Sequence, residues 1–180
     1  MAIHIFDIDD TLIATKAQVI IKDSKGNEIG RLGSHAFNLY QENPLEAGMV
    51  LENATYDFSE FESLKQLTTE PILPAMAVLR SLDPCSEQTY IVTARQKQGL
   101  IWQWLHDTAS DALIPFTNIF CYDRESGLSV AEWKAEVVKH IIENSDKTDI
   151  HIHEDNDTNI QAMLGQVPID WEVFTYSLSK

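Results

Sequence analysis

The stretch Ile3-His4-Ile5-Phe6-Asp7-Ile8-Asp9-Asp10-Thr11-Leu12 is an apolar run that stops abruptly in three carboxylates and a hydroxyl. A short, largely apolar run of this kind reads as a buried parallel strand, here over residues 2–8. Carboxylates placed where such a strand ends lie on the edge of an α/β sheet where ligands bind. Like charges crowded there are costly unless a cation or ligand compensates them. The cluster therefore calls for a metal ion.

Beyond Leu12 the pattern changes. Val19-Ile20-Ile21 and Ile29-Gly30-Arg31-Leu32 flank the turn-forming Asp23-Ser24-Lys25-Gly26-Asn27, which predicts a β-hairpin. Ser34 is a candidate cap for a short helix through Gln41. Residues 43–71 are mixed, with Pro44 and Gly48 ahead of the acidic-aromatic Tyr56-Asp57-Phe58-Ser59-Glu60-Phe61-Glu62. The segment 14–71 reads as an inserted cap.

From Pro71 onward a regular alternation sets in. Pro74 opens a helix to Leu82, Gln88–Thr93 is a strand, and residues 95–109 are helical. Asn118–Tyr122 is a strand, and Ser129 with Glu132 forms a capping box for a helix to about Asn144. Asp149–His153 is a strand, Asn156–Leu164 a helix ended by Gly165, and Trp171–Thr175 a last strand. Strands alternating with helices imply parallel β-α-β units. The expected fold is α/β, a three-layer Rossmann-like parallel sheet with helices on both faces. Its core is residues 1–13 and 72–180, and the cap contains the hairpin.

The chain has 180 residues, 44% of them apolar, enough for a folded domain with a core of its own. No apolar run is long enough to span a bilayer, and the first residues carry carboxylates instead of the basic region of a secretory leader. A cytoplasmic location is the default expectation, with no membrane partner. A net charge of −15 opposes a broad grip on nucleic acid, because phosphate contacts need Lys and Arg. It leaves room for a small phosphorylated substrate held by a metal and a cation or two. Oligomeric state is not legible. Cys85 and Cys121 read as small core residues, having no paired motif.

A parallel sheet brings several of these elements to one edge. Asp7, Asp9 and Thr11 follow the first strand, Thr93 ends the second core strand, and Glu154-Asp155-Asn156 follow Asp149–His153. Lys134 sits near the N-terminal end of its helix and so reaches the same edge, whereas Lys139 and Lys147 point elsewhere. Each residue type has a chemical reason to be there. An Asp carboxylate attacks phosphorus to form an acyl phosphate, dividing one hard hydrolysis into two steps. A second carboxylate nearby protonates the leaving oxygen and then activates water. Magnesium prefers oxygen ligands and would neutralise Asp7 and Asp155. A Thr93 hydroxyl and a Lys134 ammonium suit phosphoryl oxygens.

With these residues in place, Phe6-Asp7-Ile8-Asp9-Asp10-Thr11-Leu12 resembles the DxDxT motif that opens the haloacid dehalogenase-like superfamily. Thr93 in Tyr90-Ile91-Val92-Thr93-Ala94-Arg95 resembles the second motif, Lys134 the third-motif lysine, and Glu154-Asp155-Asn156 the acidic fourth. The fourth departs from the commonest form, since no Gly-Asp is followed by a second Asp. The resemblance implies Asp7 as nucleophile, Asp9 as general acid and base, and a magnesium site from Asp7, the Asp9 backbone carbonyl and Asp155. It also implies a phosphatase, because the second aspartate marks phosphatases and phosphotransferases, and a cap of the C1 type, because the insertion falls between the first and second motifs. The layout further resembles phage-encoded phosphatases, including the phosphatase part of polynucleotide kinase-phosphatases, which adds host cytoplasm as a setting. Two alternatives stand beside a phosphomonoester phosphatase: a polynucleotide-end (3′-) phosphatase and a non-enzymatic phospho-accepting signalling domain.

Other features have plainer readings. Asp10 suits a helix N-cap. His151 and His153 share one face and read as packed histidines in preference to transition-metal ligands. Trp104 belongs to the core and Trp102 is more exposed. Tyr56–Glu62 reads as a solvated amphipathic segment, with a lid as the alternative. Arg95 stays open between a phosphate contact and a surface residue. Glu154, Asn156 and Asp157 have no assigned role.

Overall fold

A computed structural model describes residues 2–42, 53–63 and 70–177. Pro44 and Gly48 lie outside them. The core is a five-stranded, wholly parallel sheet built from β1 (Ala2–Phe6), β7 (Gln88–Thr93), β8 (Ile119–Cys121), β9 (Asp149–His153) and β10 (Glu172–Tyr176). Its spatial order is β10-β9-β1-β7-β8. The order reverses at β1, which has β7 on one side and β9 on the other. In open α/β sheets the crevice at such a switch point is where ligands bind.

β1 is buried along its whole length, so both of its faces are covered. Ile3 and Ile5 pack with Ile150 and Ile152 under α4 (Val130–Glu143) and α5 (Asp157–Leu164), through Trp133, Val138, Ile141 and Met163. On the opposite face Phe6 and Ile91 pack under α2 (Leu73–Ser81) and α3 (Gln98–Thr108), through Met76, Leu79, Trp104 and Leu105. Each fully buried large side chain contributes about 1.5–3 kcal/mol of transfer free energy. The three layers are those of a Rossmann-like fold.

Local chemistry accounts for the element ends. Ser129 Oγ accepts the Glu132 amide and the Glu132 carboxylate accepts the Ser129 amide, completing the box that starts α4. Asn156 caps α5 by accepting the Asn159 amide at 2.9 Å. Gly165 ends α5 in right-handed, not left-handed, conformation. β1 is shorter than its apolar run: it stops at Phe6, and the Asp7 amide still donates to the His153 carbonyl at 2.9 Å. After Ile8 the chain turns tightly, its carbonyl accepting the amides of Thr11, Leu12 and Ile13. Asp10 occupies the turn at φ 59°, a left-handed conformation and not a helix cap. α3 starts at Gln98, three residues later than expected, because Arg95 is drawn into the sheet edge and its carbonyl accepts the Tyr122 amide.

The insertion leaves the core through two short antiparallel strands, β2 (Ile13–Ala14) and β6 (Glu70–Pro71). The expected hairpin is β3 (Gln18–Lys22) with β4 (Glu28–Gly33), joined by a turn in which Asp23 accepts the Lys25 and Asn27 amides and Gly26 takes φ 84°. α1 (Ser34–Glu42) follows. β5 (Thr55–Asp57) adds a third strand beside β3, and Ser59–Glu62 forms a turn of 3-10 helix. Of the stretch read as a solvated segment, Tyr56 and Asp57 thus belong to the insertion's own sheet, and the rest is half-buried or exposed beside it.

Cys121 packs partly buried against the core, as expected, whereas Cys85 is exposed; both are free thiols. Trp104 is buried and Trp102 exposed. Among the described residues, no helix is long and apolar enough to cross a membrane.

Candidate active site

The parallel register delivers the acidic residues to one place. Phe6 lies beside His153 in the sheet, so the residues that follow each strand, Asp7 on one side and Glu154-Asp155 on the other, emerge together. Asp7, Glu154 and Asp155 each offer a carboxylate oxygen, and these lie within 4.8 Å of one another. Lys134, one turn into α4 and 1% exposed, reaches in from the adjoining helix. Its Nζ donates to Asp7 at 2.8 Å and to Glu154 at 2.5 Å.

Three carboxylates therefore face one ammonium in a largely buried site. Burial, and then the charges of Glu154, Asp155 and Asp9, push the Asp7 carboxyl well above its ordinary range against the pull of Lys134. Burial together with the Glu154 and Asp10 charges pushes Asp155 up to about 7. For Lys134, burial opposes its charge, but Asp7 and Glu154 together outweigh burial and hold it protonated. The lysine is satisfied and the carboxylates are in excess. A hard dication with oxygen preference fits that imbalance, so the donor set suits magnesium, with Asp7 and Asp155 as side-chain donors.

Asp9 is held differently. Its two oxygens accept from Arg95 Nη2 at 2.7 Å and Nε at 2.8 Å, a bidentate pair of the strong kind. Arg95 is 4% exposed and not a surface residue. A further guanidinium nitrogen donates to the Phe61 carbonyl, and the guanidinium carbon lies 5.4 Å from the centre of the Phe61 ring. One side chain therefore ties Asp9 in the core to the insertion. Lys97 adds an ion pair to Glu62 at 2.8 Å. Thr93 is fully buried at the end of β7, and its hydroxyl accepts the Arg95 amide at 3.3 Å.

A cavity of about 480 Å³ opens over these groups. Asp7, Asp9, Lys134, Glu154 and Asp155 form its core side, and Phe37, Tyr56, Phe58 and Phe61 its insertion side. Of the predicted set, Asp7, Asp9, Lys134 and Asp155 share this cavity, while the Thr93 side chain sits behind it, where Ala94 and Arg95 form the wall. The Asp9 carboxylate stands apart from the Asp7–Glu154–Asp155 trio.

Sequence reasoning left two participants unassigned. Glu154 is the second acceptor of Lys134, and the signal was its place at the end of a buried strand. Arg95 follows the second core strand by two residues and so emerges at the same sheet edge as Lys134. Asn156 acts as a helix cap and Asp157 is exposed in the first turn of α5. Lys139 is exposed and Lys147 pairs with Asp146, both away from the cavity.

The histidines form cross-strand ladders. His4 stacks on His151 at 4.4 Å and His151 on Phe174 at 4.6 Å; Phe6 stacks on His153 at 4.0 Å and His153 on Tyr176 at 4.5 Å. Rings stacked face to face do not converge their nitrogens, so they pack and are not arranged as ligands.

No protein-family model and no curated protein matches the sequence. A solved structure of DsGPDH of Dunaliella salina is similar at 16% identity and a TM-score of 0.39, over 95% of this chain and 22% of that one. The chain thus spans about a fifth of that protein's length.

Proposed function

We propose that this chain is a magnesium-dependent phosphatase that hydrolyses a phosphomonoester through an aspartyl phosphate on Asp7. The observation that carries the reading is the meeting of Asp7, Lys134, Glu154 and Asp155 at the switch point of a parallel sheet, with carboxylates in excess of cations. The likeness of the four motifs to haloacid dehalogenase-like phosphatases supports it.

In this reading an Asp7 oxygen attacks phosphorus while the bond to the leaving oxygen breaks, and Asp9 delivers a proton to that oxygen. Water then attacks the phosphorus, Asp9 takes the water's proton, and the Asp7–phosphorus link breaks. The sum is ester plus water to alcohol plus phosphate. Lys134 fixes the Asp7 rotamer and supplies positive charge beside the phosphoryl group. Glu154 holds Lys134 in place. Asp9 lies on Arg95 through both oxygens, so turning away from that guanidinium belongs to the cycle. Magnesium held by Asp7, Asp155 and the Asp9 backbone carbonyl would supply divalent charge against the substrate dianion.

The test is phosphate release from a broad panel of phosphomonoesters with magnesium and with chelator. Release is expected only with magnesium, and Asp7→Asn should abolish it while the circular dichroism spectrum is kept. Full activity in that variant rejects Asp7 as nucleophile. A stable phosphoprotein without turnover would favour the phospho-accepting signalling domain instead.

A further inference from the structure

The insertion side of the cavity has a chemistry of its own. Phe37 of α1 meets Tyr56 and Phe58 edge to face, with ring centres at 5.2 and 5.3 Å and interplanar angles of 68° and 84°. The Tyr56 hydroxyl is bonded to the Tyr40 hydroxyl at 2.9 Å, so Tyr56 brings its ring and not its polar tip to the cavity. Arg124 of the core lies over Phe58, its guanidinium carbon 4.2 Å from the ring centre, and Arg95 lies beside Phe61; both arginines also line the cavity. The wall is therefore aromatic and braced from both domains. Asn38 and Gln41, three residues apart on one face of α1, add amide donors and acceptors to the same cavity.

From this wall we infer that the leaving group is a planar heteroaromatic one, and that the substrate is a nucleoside monophosphate. The inference rests on the phosphatase reading above and names its substrate class. A sugar or polyol phosphate would press hydroxyls against rings that offer no hydrogen bonds, at the cost of their water. A nucleobase stacks on such rings whatever its identity, and its polar edge suits the α1 amides. The volume of about 480 Å³ is that of a site enclosing one small ligand. A net charge of −15 disfavours a polymer with many phosphates.

Binding and turnover test it separately. Calorimetric titration of the wild-type chain, without metal, should show saturable binding of adenosine or thymidine and none of ribose. Phe37→Leu and Phe58→Leu, each checked for retained fold, should weaken that binding about 10-fold, within the range reported for lost base stacking. Absence of binding by both nucleosides overturns the inference. With magnesium, phosphate release from adenosine and thymidine 5′-monophosphates should exceed that from glycerol 3-phosphate about 100-fold in kcat/KM, and the ratio should fall at least about 10-fold in the two variants. Equal rates overturn the inference and leave the phosphatase reading standing. No release from any phosphomonoester removes the phosphatase reading, and the nucleoside titration then decides the aromatic site by itself. Faster release from a 3′-phosphorylated oligonucleotide overturns the mononucleotide in favour of a polynucleotide end.

Discussion

Replacing Lys134 by Met removes the ammonium and keeps most of the side-chain volume, which isolates its electrostatic contribution. Lys134 is 1% exposed and carries the bonds to Asp7 and Glu154. Breaking a buried ion pair from one side costs about 3–5 kcal/mol, because the remaining charge stays buried and unpaired. For a chain of 180 residues, about 1 kcal/mol moves Tm by about 2–4 °C. Lys134→Met in chelator should therefore melt about 6–20 °C below wild type. Two companion measurements make the reasoning specific. Magnesium should recover part of the loss, since a dication compensates the same carboxylates. Glu154→Gln combined with Lys134→Met should lose less than the two single variants added together, because neutralising Glu154 relieves the charge that the first substitution strands. The assay is thermal unfolding followed by circular dichroism, with and without magnesium. A Tm within 2 °C of wild type, or strict additivity of the double variant, refutes the buried-pair account.

The histidine ladders should contribute to a loss of stability in acid. Burial, with the neighbouring imidazole charges, lowers His4 from 6.5 to about 4 and His153 from 6.5 to about 3. The unfolded chain therefore binds more protons below pH 6.5, and stability falls as pH drops, by roughly 1–2 kcal/mol per imidazole at pH 5; urea unfolding should show His153→Phe to be less acid-sensitive than wild type, and parallel profiles would contradict this. Arg95→Lys keeps the charge and loses the fork, so amides of Phe58–Glu62 should exchange hydrogen faster by mass spectrometry, and unchanged protection would remove the tie to the insertion. Ser129→Ala deletes the cap of α4 and should cost about 1 kcal/mol in urea unfolding, with no loss arguing that Glu132 alone closes the helix end.

The core was legible because its signals are local. Gln88–Thr93 and Asp149–His153 are β-rich runs with sharp ends, and both strands form as expected. Ser129 and Glu132 announce α4 in the same way, and α4 fixes where Lys134 arrives. The convergence of Asp7, Lys134 and Asp155 followed from a general property of parallel sheets, that strands end on one edge. The insertion was less legible because its order is not local. β5 pairs with β3 across 35 residues, and nothing in Tyr56–Glu62 reports that partner. Arg95 was ambiguous because a lone arginine after a strand reads the same whether it faces water or folds back onto Asp9. Cys85 was misplaced because apolar neighbours in sequence do not make a neighbour in space.

The Arg95 guanidinium also bears on how this molecule is able to change. It grips the Asp9 carboxylate with one edge and the Phe61 carbonyl with another nitrogen. An engineer who transplants a foreign segment in place of residues 14–71 would leave Arg95 paired with Asp9 but take the acceptor from its remaining guanidinium nitrogen, unless the graft brings one to that spot. The sheet edge and the insertion thus share a single side chain, and remodelling of one has to be matched by a compensating change in the other.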